Sequence, residues 1–396
     1  MKLLPLFVKF SRKTAYRQAI RYLRAFRESS GLNYVNKLNA IRFIFKLYSG
    51  KHSELSQSAN SILKKDKKSI ASYYLGQQAI LFGRYPEAIS YLLSFLSYHP
   101  QHPDGTYLLA ESYFKNGESE QAWLILEALA LKTTRVKTWW AMAAIVRTET
   151  DYLRLIDCYE RVAIGSPNIK KNVKILKYLA GGALWIKNYS AAKHHLNEVK
   201  LINQTKTTTL STSDHHLNQK DANQALQDLK QSFDEANIPF FLVSGTLLGC
   251  IREGKFLSHD HDIDVGVWDD ISINDIYKAV QKFGLFYITA SRSEHLVKLK
   301  HVNGINLDVF IHYKTPKSYW HAGIKLKWHN KPFKLGNQLF MGAEYLIPED
   351  YDTYLTENYG DWKTPVKEFD SALHTPNFEI LNQDEYDIYN LRKELN

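Results

Sequence analysis

The strongest constraint in this chain is a recurrence. Leu75, Gly83 and Ala88 return 34 residues later as Leu109, Gly117 and Ala122. The segments Gly83-Arg-Tyr-Pro-Glu-Ala88 and Gly117-Glu-Ser-Glu-Gln-Ala122 each join two stretches whose apolar residues fall at helical spacing. Each unit is therefore predicted to be a helix–turn–helix. Such a unit buries its apolar face only against neighbouring units, so the pattern demands a stacked array with a concave surface.

A 34-residue period with a small residue in the turn resembles the tetratricopeptide repeat. Degenerate echoes follow at Asn188-Tyr-Ser-Ala-Ala192 and around Gly50, while Thr133–Ala163 keeps the helical pattern without the signature. Residues 35 to 200 thus form a short helical solenoid, with Trp139 and Trp140 expected in its core. A Thr/Ser-rich run at 203–216 interrupts the pattern and is predicted to be a linker. His215 and His216 in it are expected to be a solvated pair. The domains expected are 1–202, a basic helical arm with repeats, and 217–396, a second domain.

The chain has 396 residues, enough for two domains or for one domain and a repeat array. No apolar run reaches the length of a membrane span, and the first residues lack the features of a secretory signal. Cys158 and Cys250 cannot build a disulfide framework. The expectation is a cytoplasmic protein. Its net charge of +10 is uneven: residues 1–70 hold 16 Lys and Arg against three Asp and Glu, a balance of +13. That arm suits lipid headgroups, an anionic lipid-linked glycan or nucleic acid, or else is a solvated helix face.

The second half changes rhythm. Helices are predicted at Lys220–Asn237, Thr246–Glu253 and Ile273–Phe283, and strands at Phe240–Val243, Ile263–Trp268, His295–Val302 and Ile305–His312. The last two flank Asn303-Gly304, a hairpin signal. The fold class expected is α+β: a helical solenoid followed by a mixed α/β domain.

Within that domain, Asp262 and Asp264 lie in an apolar strand. Residues two apart project from one face, so the two carboxylates stand side by side while Ile263 and Val265 face the core. Like charges held close need a cation, and carboxylate oxygens suit Mg²⁺ or Mn²⁺. Ser244-Gly245-Thr246 sits between a strand and a helix, where free N–H groups can hold a phosphate. Asp308 lies in the apolar run Leu307–Ile311, as a third site carboxylate or as a buried structural acid. A two-residue turn at Asn303-Gly304 pairs Leu299 with Asp308, and places Lys298 and Lys300 on the opposite face.

Taken in order, Ser244-Gly-Thr-Leu-Leu-Gly249, Arg252, Asp260-His-Asp-Ile-Asp264, Leu307-Asp-Val-Phe310, Ile347-Pro348 and Tyr359-Gly-Asp-Trp-Lys-Thr-Pro365 resemble the LicD/fukutin family, which has the nucleotidyltransferase fold. The resemblance covers roughly residues 220–370. It implies transfer of a phospho-alcohol group, of the phosphocholine, glycerol phosphate or ribitol phosphate type, from a CDP-activated donor to a glycan or lipid-linked glycan. It implies Asp262, Asp264 and Asp308 as catalytic metal ligands for Mg²⁺ or Mn²⁺, with Asp308 as ligand or general base. It also implies Ser244, Gly245, Thr246, Arg252 and Asp260 at the donor. Nucleic acid is not an expected partner. An anionic membrane surface is, through the basic arm, at the inner face of the membrane. Ser258-His259-Asp260 and His261 depart from the usual family residues, and a zinc site at these histidines is not expected. The Tyr359–Pro365 motif is a donor lid or a packed turn. Two rival functions remain: nucleotide transfer onto a protein or small molecule, and a repeat scaffold with an inactive second domain.

Overall fold

A computed structural model describes residues 12–204, 217–366 and 369–395. His215 and His216 and most of the 203–216 segment lie outside the described residues. The chain divides by packing into two compact units, Met1–Ile125 and Leu126–Asn396.

The first unit is helical: α1 Arg12–Glu28, α2 Tyr34–Tyr48, α3 His52–Leu63, α4 Ala71–Leu81, α5 Tyr85–Tyr98, α6 Pro103–Lys115 and the start of α7 Ser119–Ala130. The second opens with α8 Val136–Ala144, α9 Glu149–Ile164, α10 Pro167–Lys170, α11 Val173–Trp185 and α12 Tyr189–Gln204.

The recurrence has a backbone cause. Gly50, Gly83 and Gly117 have φ of +65°, +67° and +86°. Behind each, the next N–H reaches back five residues: Lys51 to Lys46 O at 2.9 Å, Arg84 to Ala79 O at 2.9 Å and Glu118 to Tyr113 O at 2.8 Å. This left-handed helix stop turns the chain into the next helix. The fourth turn has the same bond, Asn188 N–H to Ala183 O at 2.9 Å. There a lysine, Lys187, takes φ +57°. The echo at Asn188–Ala192 is thus the same turn without its glycine. Lys187→Gly should raise stability by about 1 kcal/mol by removing the left-handed strain, read as a higher denaturation midpoint at unchanged slope.

Close helix packing explains the other small residues. A Cβ on Gly76 would lie 2.7 Å from Leu92 Cγ, and Ala88, Ala122 and Ala192 are fully buried. Trp139 is buried as expected, but Trp140 is half exposed. They are adjacent on one helix, and a turn of about 100° separates their side chains.

The rest of the second unit is α13 Gln219–Asp234, β1 Phe241–Leu242, α14 Ser244–Glu253, β2 Asp262–Trp268, α15 Ile273–Phe283, β3 Phe286–Thr289, β4 Leu296–His301, β5 Asn306–Lys314, β6 Tyr319–Ala322, β7 Leu326–Asn330, β8 Leu335–Phe340, β9 Ala343–Pro348, α16 Tyr351–Tyr359, β10 Phe378–Ile380 and α17 Gln383–Glu394. The fold is therefore α+β. The ten strands form one mixed sheet in the order β10-β7-β6-β5-β2-β1-β9-β8, with β4 along the first half of β5 and β3 outside β4. The centre is the parallel pair β2–β5, covered by Leu226, Leu229, Phe233, Leu247, Ile276 and Val280 from α13, α14 and α15. The C-terminal helix α17 docks on α12 through Lys193–Asp384 at 2.8 Å and Lys200–Glu394 at 2.9 Å. Among the described residues no helix is long and apolar enough to cross a membrane.

Candidate active site and metal centre

Strand β2 alternates as its sequence dictates: Ile263 and Val265 are fully buried, and Asp262 and Asp264 project from the other face. The parallel register sets Asp264 directly beside Asp308 and Asp262 beside Asn306. One ligand oxygen from each of Asp262, Asp264 and Asp308 lies within 4.8 Å of the others. The three acids named from sequence thus come together at the centre of the sheet.

Their arrangement suits a cation. Burial, then Asp308 and Asp260, pushes Asp262 up to about 6. Asp264 is driven well above the carboxylate range by burial and by Asp262, Asp260 and Asp308, against one Gly245 N–H bond that favours its charge. Asp260 is pushed up to about 6, mainly by burial. Where no counter-ion balances such a set, protons take the place of positive charge. An all-oxygen donor set of this kind suits Mg²⁺ or Mn²⁺.

One positive charge does stand there. Lys298 Nζ lies 3.0 Å from Asp308 Oδ2. This corrects the register expected from sequence: Lys298, not Leu299, faces Asp308, and Leu299 faces Leu307. The cause is the loop. His301 N–H donates to Ile305 O at 2.8 Å and Gly304 N–H to His301 O at 2.8 Å, closing a three-residue turn, Val302–Gly304, with Gly304 at φ +102°. One extra loop residue shifts the pairing by one and exchanges the faces. Lys300 pairs with Asn306, on the same side as Lys298.

The Ser244–Thr246 segment, the first turn of α14, packs against Asp260 and Asp264. Ser244 takes φ +48°, a strained conformation for a residue with a Cβ. Thr246 is buried, and its Oγ1 accepts the Asp264 N–H at 2.8 Å, so this hydroxyl fixes β2. Gly245 is where Asp260 packs: an added Cβ would sit 2.4 Å from Asp260 Oδ2. Gly245→Ala should therefore displace the Asp260 carboxylate, the end of a half-buried side chain, seen as lost activity with little change in melting temperature.

Arg252 is placed otherwise than at the carboxylates. Its Nη1 donates to Trp362 O at 3.2 Å and its Nη2 to Glu253 Oε1 at 3.3 Å. It ties the Tyr359–Pro365 segment to α14. Trp362 is buried, and Tyr359 feels the charges of Asp264 and Asp260. His259 and His261 are exposed, and neither joins a metal-suited group among the described residues.

Residues 237–350 match the LicD/FKTN/FKRP nucleotidyltransferase domain. Residues 79–145 match the tetratricopeptide repeat. Human ribitol-5-phosphate transferase FKTN is 29% identical over 170 residues, which are 40% of this chain and 37% of that protein. The mouse protein of that name is 28% identical over 179 residues, 43% of this chain and 39% of its own length. Uncharacterized protein RP689 of Rickettsia prowazekii is 24% identical over 164 residues, 39% of this chain and 59% of its own. The chain thus spans little more than a third of the FKTN relatives it matches. It carries a LicD/FKTN-like nucleotidyltransferase domain and a tetratricopeptide-like helical region, and the three acids lie inside the matched domain.

A second group of ligand type, His194, His195 and Glu198, lies on α12. Both ring nitrogens of His195 are engaged, with Tyr152 Oη at 3.0 Å and Glu198 Oε2 at 3.2 Å. A cavity of about 750 Å³ beside it, lined by Lys187, Tyr189, Lys193, His194 and Asp384 among others, contains none of the three acids.

Proposed function

We propose that the LicD/FKTN-like domain transfers a phospho-alcohol group from a CDP-activated donor to a hydroxyl of a cell-surface glycan or its precursor. The observation that carries this is the convergence of Asp262, Asp264 and Asp308 in a domain similar to ribitol-5-phosphate transferase FKTN. A divalent ion held by these carboxylates would neutralise charge that builds on the phosphate oxygens. The acceptor oxygen attacks the phosphorus that bears the alcohol, the bond from that phosphorus to CMP breaks, and the hydroxyl proton passes to a site carboxylate. Lys298 stands beside Asp308 to meet a phosphate oxygen as a point charge. Gly245 and Thr246 hold Asp264 and β2 in place, so the acids need no rearrangement during reaction. Ser244 and Asp260 line the donor side of this turn, and Arg252 secures the Tyr359–Pro365 segment against α14.

A second reading keeps the site and moves the nucleotide itself, as the family description "nucleotidyltransferase domain" allows. Products separate them. Phospho-alcohol transfer releases CMP, whereas nucleotide transfer from a triphosphate releases pyrophosphate. A screen of CDP-choline, CDP-glycerol and CDP-ribitol with Mg²⁺ for thermal protection identifies the donor, because a ligand far above its Kd adds a few kcal/mol, on the order of 3, of apparent stability. Protection by none of the three, with protection by a nucleoside triphosphate, favours the second reading. An inactive scaffold would have no reason to keep three mutually repelling acids together.

A further inference from the structure

We propose that the outer face of α1 and the first turns of α2 dock onto an anionic lipid surface. This rests on the first unit alone and stands or falls apart from the transfer reaction. Among the described residues, α1 and the start of α2 present a run of large exposed apolar side chains. Phe26, Val35, Leu23 and Tyr34 are 51%, 62%, 68% and 71% exposed, and Ile20 and Leu38 are also exposed.

On α1 the two faces are sharply divided. Ala25 and Glu28 are buried, with the Glu28 carboxylate accepting from Arg24 Nε at 2.7 Å and Tyr74 Oη at 2.9 Å. Ile20, Leu23 and Phe26 follow at intervals of three on the opposite face, with exposed Arg27 beside them. An apolar stripe flanked by arginine is the pattern of a helix lying in a membrane interface. Residues 1–11, Met-Lys-Leu-Leu-Pro-Leu-Phe-Val-Lys-Phe-Ser, continue the same composition in sequence.

Charge chooses among the occupants. Residues 1–70 carry a balance of +13, so a second copy would set like charge against like charge, whereas anionic headgroups are attracted to it. The structure also narrows which arginines contribute. Arg24 is bound to Glu28, Tyr48 Oη and Gln77, and Arg21 lies over the Tyr48 ring at 5.0 Å. Charge reversal at Arg24 would therefore damage helix packing, and Arg27 is the informative position.

The experiment is co-sedimentation of the full chain with vesicles of phosphatidylcholine alone or with 30% phosphatidylglycerol. Wild type should bind the anionic vesicles at least tenfold more tightly, and the difference should shrink between 50 and 500 mM salt as screening shortens the reach of the attraction. Leu23→Ser with Phe26→Ser should lose at least tenfold, and Arg27→Glu several-fold, with melting temperatures unchanged. Leu153→Ser, at an exposed leucine of α9, should bind as wild type does. Equal binding to neutral vesicles, no binding at all, or full binding by the double variant overturns the proposal. So does a wild-type dimer that the double variant dissolves, which would make a second copy the occupant.

Discussion

Asp264→Asn is expected to lose at least about a thousandfold in turnover while folding more stably than wild type in the absence of metal. The same holds for Asp262→Asn. Each replaces one member of a repelling, partly buried set, and at position 264 the amide oxygen of the new side chain can still accept the Gly245 N–H. The sign of the pH dependence follows from the raised carboxyls. Asp262 and Asp260 sit at about 6 in the folded chain against about 3.9 unfolded. Between these values the folded state holds the extra protons, so the stability they contribute is present below about pH 4 and lost as pH rises through 6. Buried His312, held down to about 4 by burial, and His321, also lowered, act in the opposite direction over the same range. The readout is therefore the difference between variant and wild type. The metal-free variant should gain little in melting temperature at pH 4.5 and on the order of a few degrees at pH 7.5. Excess Mg²⁺ should stabilise wild type at pH 7.5 and close that gap. A variant with near wild-type turnover in Mg²⁺ would remove the metal assignment.

Lys298→Met should cost about a hundredfold in kcat/KM for the CDP donor and improve binding of Mn²⁺ alone. Lys298 forms an ion pair with an acid of the triad, so in the metal-free protein it competes with a cation for Asp308. Deleting its charge frees that oxygen and tightens the bare ion several-fold. Donor binding loses a cation at the phosphates, and the two effects therefore have opposite signs. Lys298→Arg should recover part of the donor term. Mn²⁺ titration followed by water proton relaxation, with and without CDP-alcohol, measures both. A variant weaker for Mn²⁺ and unchanged for donor would reduce Lys298 to a structural partner of Asp308.

What is legible in the sequence is what short-range rules determine. The Gly83 and Gly117 turns, the two faces of Asp262-Ile-Asp264 and the α+β division follow from helix stops and a period of two. Lys298 is hidden by one residue of loop length, because Asn303-Gly304 serves a three-residue turn as well as a two-residue one and only the tertiary hydrogen bonds decide. The resemblance groups Arg252 with the donor, as the strand–helix turn does Thr246; their partners within the fold are the Asp264 backbone, whose N–H Thr246 Oγ1 accepts, and Trp362 O, to which Arg252 donates. Neither partner is near in sequence, so no local pattern announces it. The docking of α17 on α12 is likewise set by ion pairs between residues far apart in sequence, and the short strands β3, β6, β7 and β10 by pairing within the sheet. The raised carboxyls are foreseeable in kind, since side-by-side acids repel, but joining Asp260 to the set requires its packing onto Gly245.

The most direct test of the central claim is product formation from a CDP-alcohol donor with Mg²⁺, comparing wild type with Asp264→Asn and with wild type in EDTA. The carboxylate site predicts CMP released in step with phospho-alcohol transferred to a glycan acceptor, abolished both by the substitution and by chelation. CMP release that survives Asp264→Asn or EDTA, or pyrophosphate released from a nucleoside triphosphate in its place, would contradict it.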